Sequence, residues 1–271
     1  MPLIYTEKFA DKVDERFTAV GVTSSAMNTD YSFEGAQTIK ITSVNTVPMG
    51  DYNRATGYGA LAAIENEIQT LTMTKDRKFT GLLDLMDEEE TKIKAGSFLA
   101  RQLREVVIPE IEKYRFNKMM SAAKTNSMEV TASSKPYSEV LEMQEKMDDA
   151  SIPRAGRILF VTPEIIKILK KDADFILASD IAQSMLINGQ IGLVDGTPVI
   201  SVPKIWLTDG TDKAKAILLH KSAMISPIKL AEYKAFTSGE NPTHSGTTFL
   251  GRIYYDAFVL KNKKMGIASL V

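Results

Sequence analysis

The stretch from Leu85 to Lys124, LMDEEETKIKAGSFLARQLREVVIPEIEKYRFNKMMSAAK, reads as one helix too long for an ordinary domain. With a rise of about 1.5 Å per residue it would run roughly 50 Å, whereas most globular helices have about 8–20 residues. Asp87 and Glu90 stand at cap and third-position spacing, and Glu88 and Glu89 place negative charge where the helix dipole is positive. Leu99, Leu103, Val107, Ile111 and Tyr114 recur at three- and four-residue steps, which predicts one buried face. Arg101, Arg104, Glu105, Glu112, Lys113 and Arg115 mark the face expected to meet solvent. No strict heptad persists, so a coiled coil is not expected. Pro109 removes a backbone donor and crowds the carbonyl of Glu105, which predicts a kink. Two helices broken before Pro109 are the alternative; the apolar face continuing in phase favours one. A helix of this length suits an elongated subunit, and elongated subunits are usually parts of assemblies.

At 271 residues the chain is near the upper limit of a single core, so one large domain or two smaller ones would both be ordinary. Lysine and arginine number 33 against 34 acidic residues, a net charge of −1, so no basic excess draws it to nucleic acid. There is no cysteine, which removes disulfides, thiolate catalysis and cysteine metal sites together. No run approaches the roughly 18 apolar residues of a membrane span. The N-terminus, MPLIYTEKFADKVDERF, lacks the basic head and apolar run of a signal peptide, so synthesis and use in a cytoplasm are expected. No short-period repeat and no low-complexity tract is visible.

Along the chain, Tyr5, Phe9, Val13 and Phe17 are spaced by four and predict a short amphipathic helix with Thr6 as its cap. Such a helix is marginal alone and needs a surface, on its own chain or on a neighbour. The following GVTSSAMNTDYSFEGAQ is expected to be extended. Residues 36–47 alternate as a strand, with Ile39, Ile41 and Ser43 on one face and Lys40, Thr42 and Val44 on the other. A turn-rich PMGDYNRATGYGA follows, and a second β-prone run returns as IQTLTMTKDRKFTGLL, giving a long hairpin with a mobile tip. A lone hairpin is barely stable, so this one hints at packing between subunits.

Residues 125–228 read as a compact α/β unit. Pro136 to Met147 predicts a helix with Val140, Leu141 and Met147 inward, RILFV at 157–161 a buried strand, and Thr162-Pro163-Glu164 a helix start. A loop with a short helix (172–191), a turn and strand (195–203) and a strand (213–220) complete it. In the C-terminal run, Ile253, Tyr255, Ala257 and Val259 share one face of a strand, and Tyr254, Phe258 and Leu260 the other, as expected for a strand packed under the long helix.

Chemistry is hard to find. Only His220 and His244 exist; the first follows an apolar strand and reads as a satisfied strand-end histidine, and the second sits in a turn without a partner for a metal. Ser222 is two residues from His220, but no GxSxG elbow surrounds any serine. Gly57-Tyr58-Gly59 is not a phosphate loop. Asp209-Gly210-Thr211-Asp212 lacks the ligand spacing of a calcium loop and reads as a plain turn. Trp206 reads as a packing anchor. No catalytic, cofactor-binding or metal-binding residue is assigned, and no enzyme is expected.

The order of elements, together with IKITSVNTVPMGDYNR, LARQLREVVIPEIEKYR, GRILFVTPEI and GRIYYDAFVLKNK, resembles the major capsid protein of tailed bacteriophages, a fold shared with encapsulin shells. The weight lies in the order of the stretches and in their spread over the whole chain, not in any one motif. The resemblance implies an α+β fold with an N-terminal arm (1–35), peripheral-domain strands and an extended E-loop hairpin (36–80) and a spine helix in the peripheral domain (81–124). An α/β axial domain (125–228) would follow, then long peripheral strands that return to the axial domain (229–271). It implies a homo-oligomer of pentamers and hexamers closing into an icosahedral head shell in the virion, assembled in the bacterial host cytoplasm. Its partners would be a scaffolding protein, a portal and a decoration protein. Double-stranded DNA would be enclosed without sequence-specific binding, and no membrane is involved. An encapsulin-like nanocompartment shell is the alternative. Because the chain opens directly on the arm, either the scaffold is a separate protein or the sequence is the mature form. Some members cross-link through a lysine–asparagine bond aided by a glutamate; no such trio can be matched here.

Overall fold

The computed structural model describes residues 21–31, 38–55, 57–58, 63–86, 100–132, 135–171, 192–208, 210, 212–236, 239 and 245–271. The predicted helix around Tyr5–Phe17, the helix start at Asp87–Glu90 with Leu99, the 172–191 stretch and His244 lie outside them.

The predicted hairpin forms from β1 (Thr38–Val44) and β2 (Asn66–Thr72), antiparallel with Thr38 opposite Thr72 and Val44 opposite Asn66. Ile39, Ile41 and Ser43 are half-buried and their neighbours exposed, as the alternation predicts. The returning run is not one strand, however. It breaks at Met73-Thr74, and β3 (Lys75–Asp84) joins a different sheet. Met73 is fully buried with Leu71, Ile225 and Leu260 in a small core under the hairpin's base. A strand that must serve two cores has to turn between them.

The long helix runs without interruption from Ala100 to Thr125 across Pro109. The expected kink is a wide, π-helical turn over Leu103–Val107, followed by the regular helix α1 (Ile108–Thr125). Ile108 N–H bonds to the Leu103 carbonyl, five residues back, which relaxes the chain where the proline ring would crowd the Glu105 carbonyl. Glu112 and Arg115, expected in solvent, are buried. They share a face with Phe116, Met119 and Ala123 at three- and four-residue steps, so the helix is covered over a wider arc than one apolar stripe. Its other flank places Ile111 and Tyr114 against Ile253 and Tyr255.

After α1 come β4 (Glu129–Val130), α2 (Pro136–Asp149), β5 (Arg157–Val161) and α3 (Pro163–Leu169). Then follow β6 (Leu193–Val194), β7 (Thr197–Ser201), α4 (Lys204–Thr208) and β8 (Ala216–His220). In α2 the inward residues are Val140, Met143 and Met147; Leu141, predicted inward, is exposed because it sits about 100° round the helix from Val140. Asp195 and Gly196 both have positive φ, +47° and +74°, in the two-residue turn that folds β6 back on β7.

The chain ends with β9 (Met224–Ile225), β10 (Ile228–Phe236), β11 (Gly246–Tyr255), β12 (Phe258–Val259) and β13 (Ile267–Leu270). Strands β10, β11 and β3 make an antiparallel sheet. The single C-terminal strand expected through Val259 is broken at Asp256, whose carboxylate accepts the Ala257 N–H at 2.7 Å and bends the chain away. Beyond the break, β12 pairs with β9. Strand β13 inserts between β4 and β8 in a six-stranded sheet of order β4-β13-β8-β5-β7-β6. The C-terminus is therefore part of the main core. There Phe116 of the long helix meets Phe160 edge-on at 5.3 Å and stacks on Trp206 at 6.4 Å.

Candidate functional site: the exposed hairpin and the polar face of the long helix

Among the described residues weighed for chemistry, His220, Ser222, Trp206 and Asp212 make structural contacts. His220 Nε2 lies 3.0 Å from the Ala155 carbonyl, and its Nδ1 lies 2.8 Å from Ser222 Oγ and accepts the Ser222 N–H at 3.3 Å. Burial lowers the imidazole pKa below its ordinary 6.5. Trp206 is a packing anchor, as its position predicted. Asp212 pairs with Lys124 at 2.5 Å. Among the described residues no cluster of three or more His, Asp or Glu side chains is placed to hold a metal, and no described helix is long and apolar enough to cross a membrane.

What stands out instead is a surface that lacks a cover. Beyond Val44 the hairpin exposes Val47, Met49, Tyr52, Tyr58 and Ile64, with Met49 at 101% and Tyr58 at 88% exposure. The tip has local order of its own. Asn53 Oδ1 accepts the Ala55 N–H at 2.8 Å, the Asn53 carbonyl accepts the Gly57 N–H at 2.8 Å, and the Tyr52 and Tyr58 rings meet edge-on at 5.1 Å. Gly57 has φ +66°, a conformation that disfavours a side chain. Ordered aromatic side chains in water are typical of surfaces that bind protein.

The base of the hairpin is pinned. Gln69 acts as a bracket, donating to the Val259 carbonyl at 3.1 Å and accepting the Lys261 N–H at 2.9 Å, while Lys261 pairs with Glu67. Asp256, 2% exposed, binds Thr74 through its N–H at 2.8 Å and its hydroxyl at 3.0 Å, and takes the Tyr114 hydroxyl at 2.7 Å. Burial alone would raise its pKa, but the donors from Tyr114, Ala257 and Thr74 outweigh this and hold it below the ordinary 3.8. A depressed carboxylate stabilises the fold above its unfolded-state pKa, and that stability is lost as pH falls through the lower, folded-state value. Asp256→Asn should therefore flatten the stability profile between about pH 5 and 3 relative to the parent. Urea midpoints measured across that range check this; parallel profiles for the two proteins would contradict it.

On the helix's opposite flank, residues 21–28 are docked on their own chain, not merely extended as predicted. Glu112, 2% exposed, accepts the N–H groups of Val22 at 3.3 Å and Thr23 at 3.2 Å and the Thr23 hydroxyl at 2.7 Å. Arg115, 4% exposed, pairs with Glu112 at 3.3 Å and donates to Thr23 and Ser24. A short 3₁₀ turn, Ser24–Ala26, then drops Ala26 and Met27 into the main core. The sequence signal for this burial is the phase of Glu112 and Arg115 with Phe116 and Met119, which their charge masks.

No protein-family model matches this chain, and no curated protein sequence does. Solved structures do. A chain from Mycobacterium phage Che8 is 17% identical with a TM-score of 0.80, over 98% of this chain and 96% of that one. The capsid structure of Cyanophage P-SCSP1u gives 12% identity and a TM-score of 0.77, covering 98% and 92%. The mature capsid of bacteriophage PhiM1 gives 10% and 0.74, covering 98% and 91%. Over nearly its whole length, this chain has the fold of those phage structures, the P-SCSP1u and PhiM1 capsids among them.

Proposed function

We propose that this protein is a major capsid protein, a structural subunit whose pentamers and hexamers close into the icosahedral head shell of a tailed double-stranded DNA phage or prophage. The observation that carries this is agreement of fold along almost the full length of both chains with phage capsid structures. An exposed, locally ordered hairpin on a pinned base fits a subunit that is completed by its neighbours. In this reading 1–35 is the arm, 36–80 holds the extended loop, 81–124 is the spine, 125–228 is the axial domain and 229–271 returns to it. With 33 basic and 34 acidic residues, the chain would confine DNA and not grip it. A scaffolding protein, a portal and a decoration protein would be its partners, and the bacterial host cytoplasm its place of assembly.

Electron microscopy and light scattering of the purified protein, alone and with its genomic neighbours, should show closed shells. A compact monomer under every assembly condition would sink the proposal. Nuclease-protected DNA inside the particles is expected; an enzyme cargo in its place would make the shell a nanocompartment.

A further inference from the structure

Two parts of this chain are pinned beside the long helix: residues 22–24, and the base of the hairpin that runs out beyond Val44 and Asn66. Their anchor points, Thr23 and Thr74, lie far apart in sequence, yet an unbroken run of hydrogen bonds joins them across the long helix. Arg115 Nη1 donates to Thr23 Oγ1 at 2.8 Å and Ser24 Oγ at 3.2 Å, and its Nε donates to Ser226 Oγ at 2.7 Å. The Ser226 hydroxyl donates to the Asp256 carbonyl at 3.0 Å. The carboxylate of the same Asp256 holds Thr74 by two bonds, at 2.8 and 3.0 Å. Tyr114, next to Arg115 on the helix, closes on that carboxylate at 2.7 Å.

We propose that this relay links the N-terminal segment to the hairpin, so that lifting residues 22–24 from the helix loosens the hairpin's base at Thr74, and the reverse. The physical basis is the rigid guanidinium of Arg115, whose Nε and Nη1 donors cannot reorient separately. When Thr23 and Ser24 leave, Nη1 loses two acceptors in a buried site, where an unmet donor is costly. The group turns towards Glu112, and its Nε swings off Ser226. Freed, Ser226 no longer positions the Asp256 backbone, and with it the carboxylate that holds Thr74. The competing account is that each polar group merely satisfies its own burial, with no communication between the ends.

Amide hydrogen exchange on the full-length subunit separates the two, with Thr23 N–H and Thr74 N–H as reporters and Leu218 in the six-stranded sheet as the control for global opening. Thr23→Val removes the hydroxyl and keeps its shape; it should speed exchange at Thr74 by about two- to thirtyfold, with Leu218 unchanged. Thr74→Val should in turn speed exchange at Thr23, because coupling between two sites acts in both directions. In a Ser226→Ala background both distant effects should disappear. Ser24→Ala is the milder substitution if Thr23→Val unfolds the subunit, and it should act in the same direction. Faster exchange at 22–24 with Thr74 unmoved, or a distant effect that survives Ser226→Ala, would overturn the relay.

Discussion

On the proposed capsid function, replacing Gly50–Ala63 with a short Gly-Ser link should leave a subunit that folds and melts like the parent but no longer closes into shells. The expectation follows from what the hairpin's apolar side chains touch. Within the replaced stretch Tyr52 and Tyr58 are exposed, as are Met49 and Ile64 that flank it, so their own chain gains little from them. The base, held by Gln69 and Thr74, lies outside the replaced stretch and keeps its small core of Leu71, Met73, Ile225 and Leu260. In a shell the balance reverses. Each large apolar side chain buried by a neighbour contributes about 1.5–3 kcal/mol, which offsets ordering the tip at about 1–2 kcal/mol per residue. The locally ordered turn at Asn53–Gly57 lowers that cost in advance. Circular dichroism melts and negative-stain microscopy of the variant provide the check. A marked fall in melting temperature would show the tip to be part of its own subunit's core; intact shells would show it to be dispensable for assembly.

Glu112→Leu should have the largest effect on the subunit itself. The glutamate neutralises Arg115 in a site almost closed to water and receives the two N–H groups and the hydroxyl that tie Val22 and Thr23 to the helix. Burial already pulls the Arg115 pKa below its ordinary value, with the charge of Glu112 opposing that pull. Removing the carboxylate leaves a buried, uncompensated guanidinium, a loss of about 3–5 kcal/mol. For a chain of this size that lowers the melting temperature by roughly 6–20 °C. Glu112→Asp keeps the charge and should lose much less. Calorimetry of the two variants beside the parent decides the matter, and equal losses would mean that the site needs the length of glutamate more than its charge.

Local pattern made much of this fold legible. The three- and four-residue steps from Leu103 to Tyr114, the alternation of Ile39, Ile41 and Ser43, and the apolar run 157–161 each carry their structure in their own periodicity. Those signals survive because side-chain direction follows backbone geometry within a few residues. The resemblance to capsid proteins, spread over the order of elements, also anticipated the fold. Even Pro109 announced a disturbance in the helix, although only the structure shows that a wider turn absorbs it.

Other features depended on partners distant in sequence. The alternation does not mark Asp256 as the point where a strand breaks, because apart from the neighbouring Ala257 N–H the groups that hold it come from Thr74 and Tyr114. Met73-Thr74 looked like the middle of a strand until two different sheets claimed its halves. Glu112 and Arg115 read as a solvated pair, since charge ordinarily outweighs phase; they are buried because residues 21–24 bring N–H and hydroxyl groups to meet them. Periodicity records which face of an element is buried. Whether a charge on that face can be kept from water is decided by the donors and acceptors that the tertiary fold delivers there, and that information is held by no single stretch of the chain.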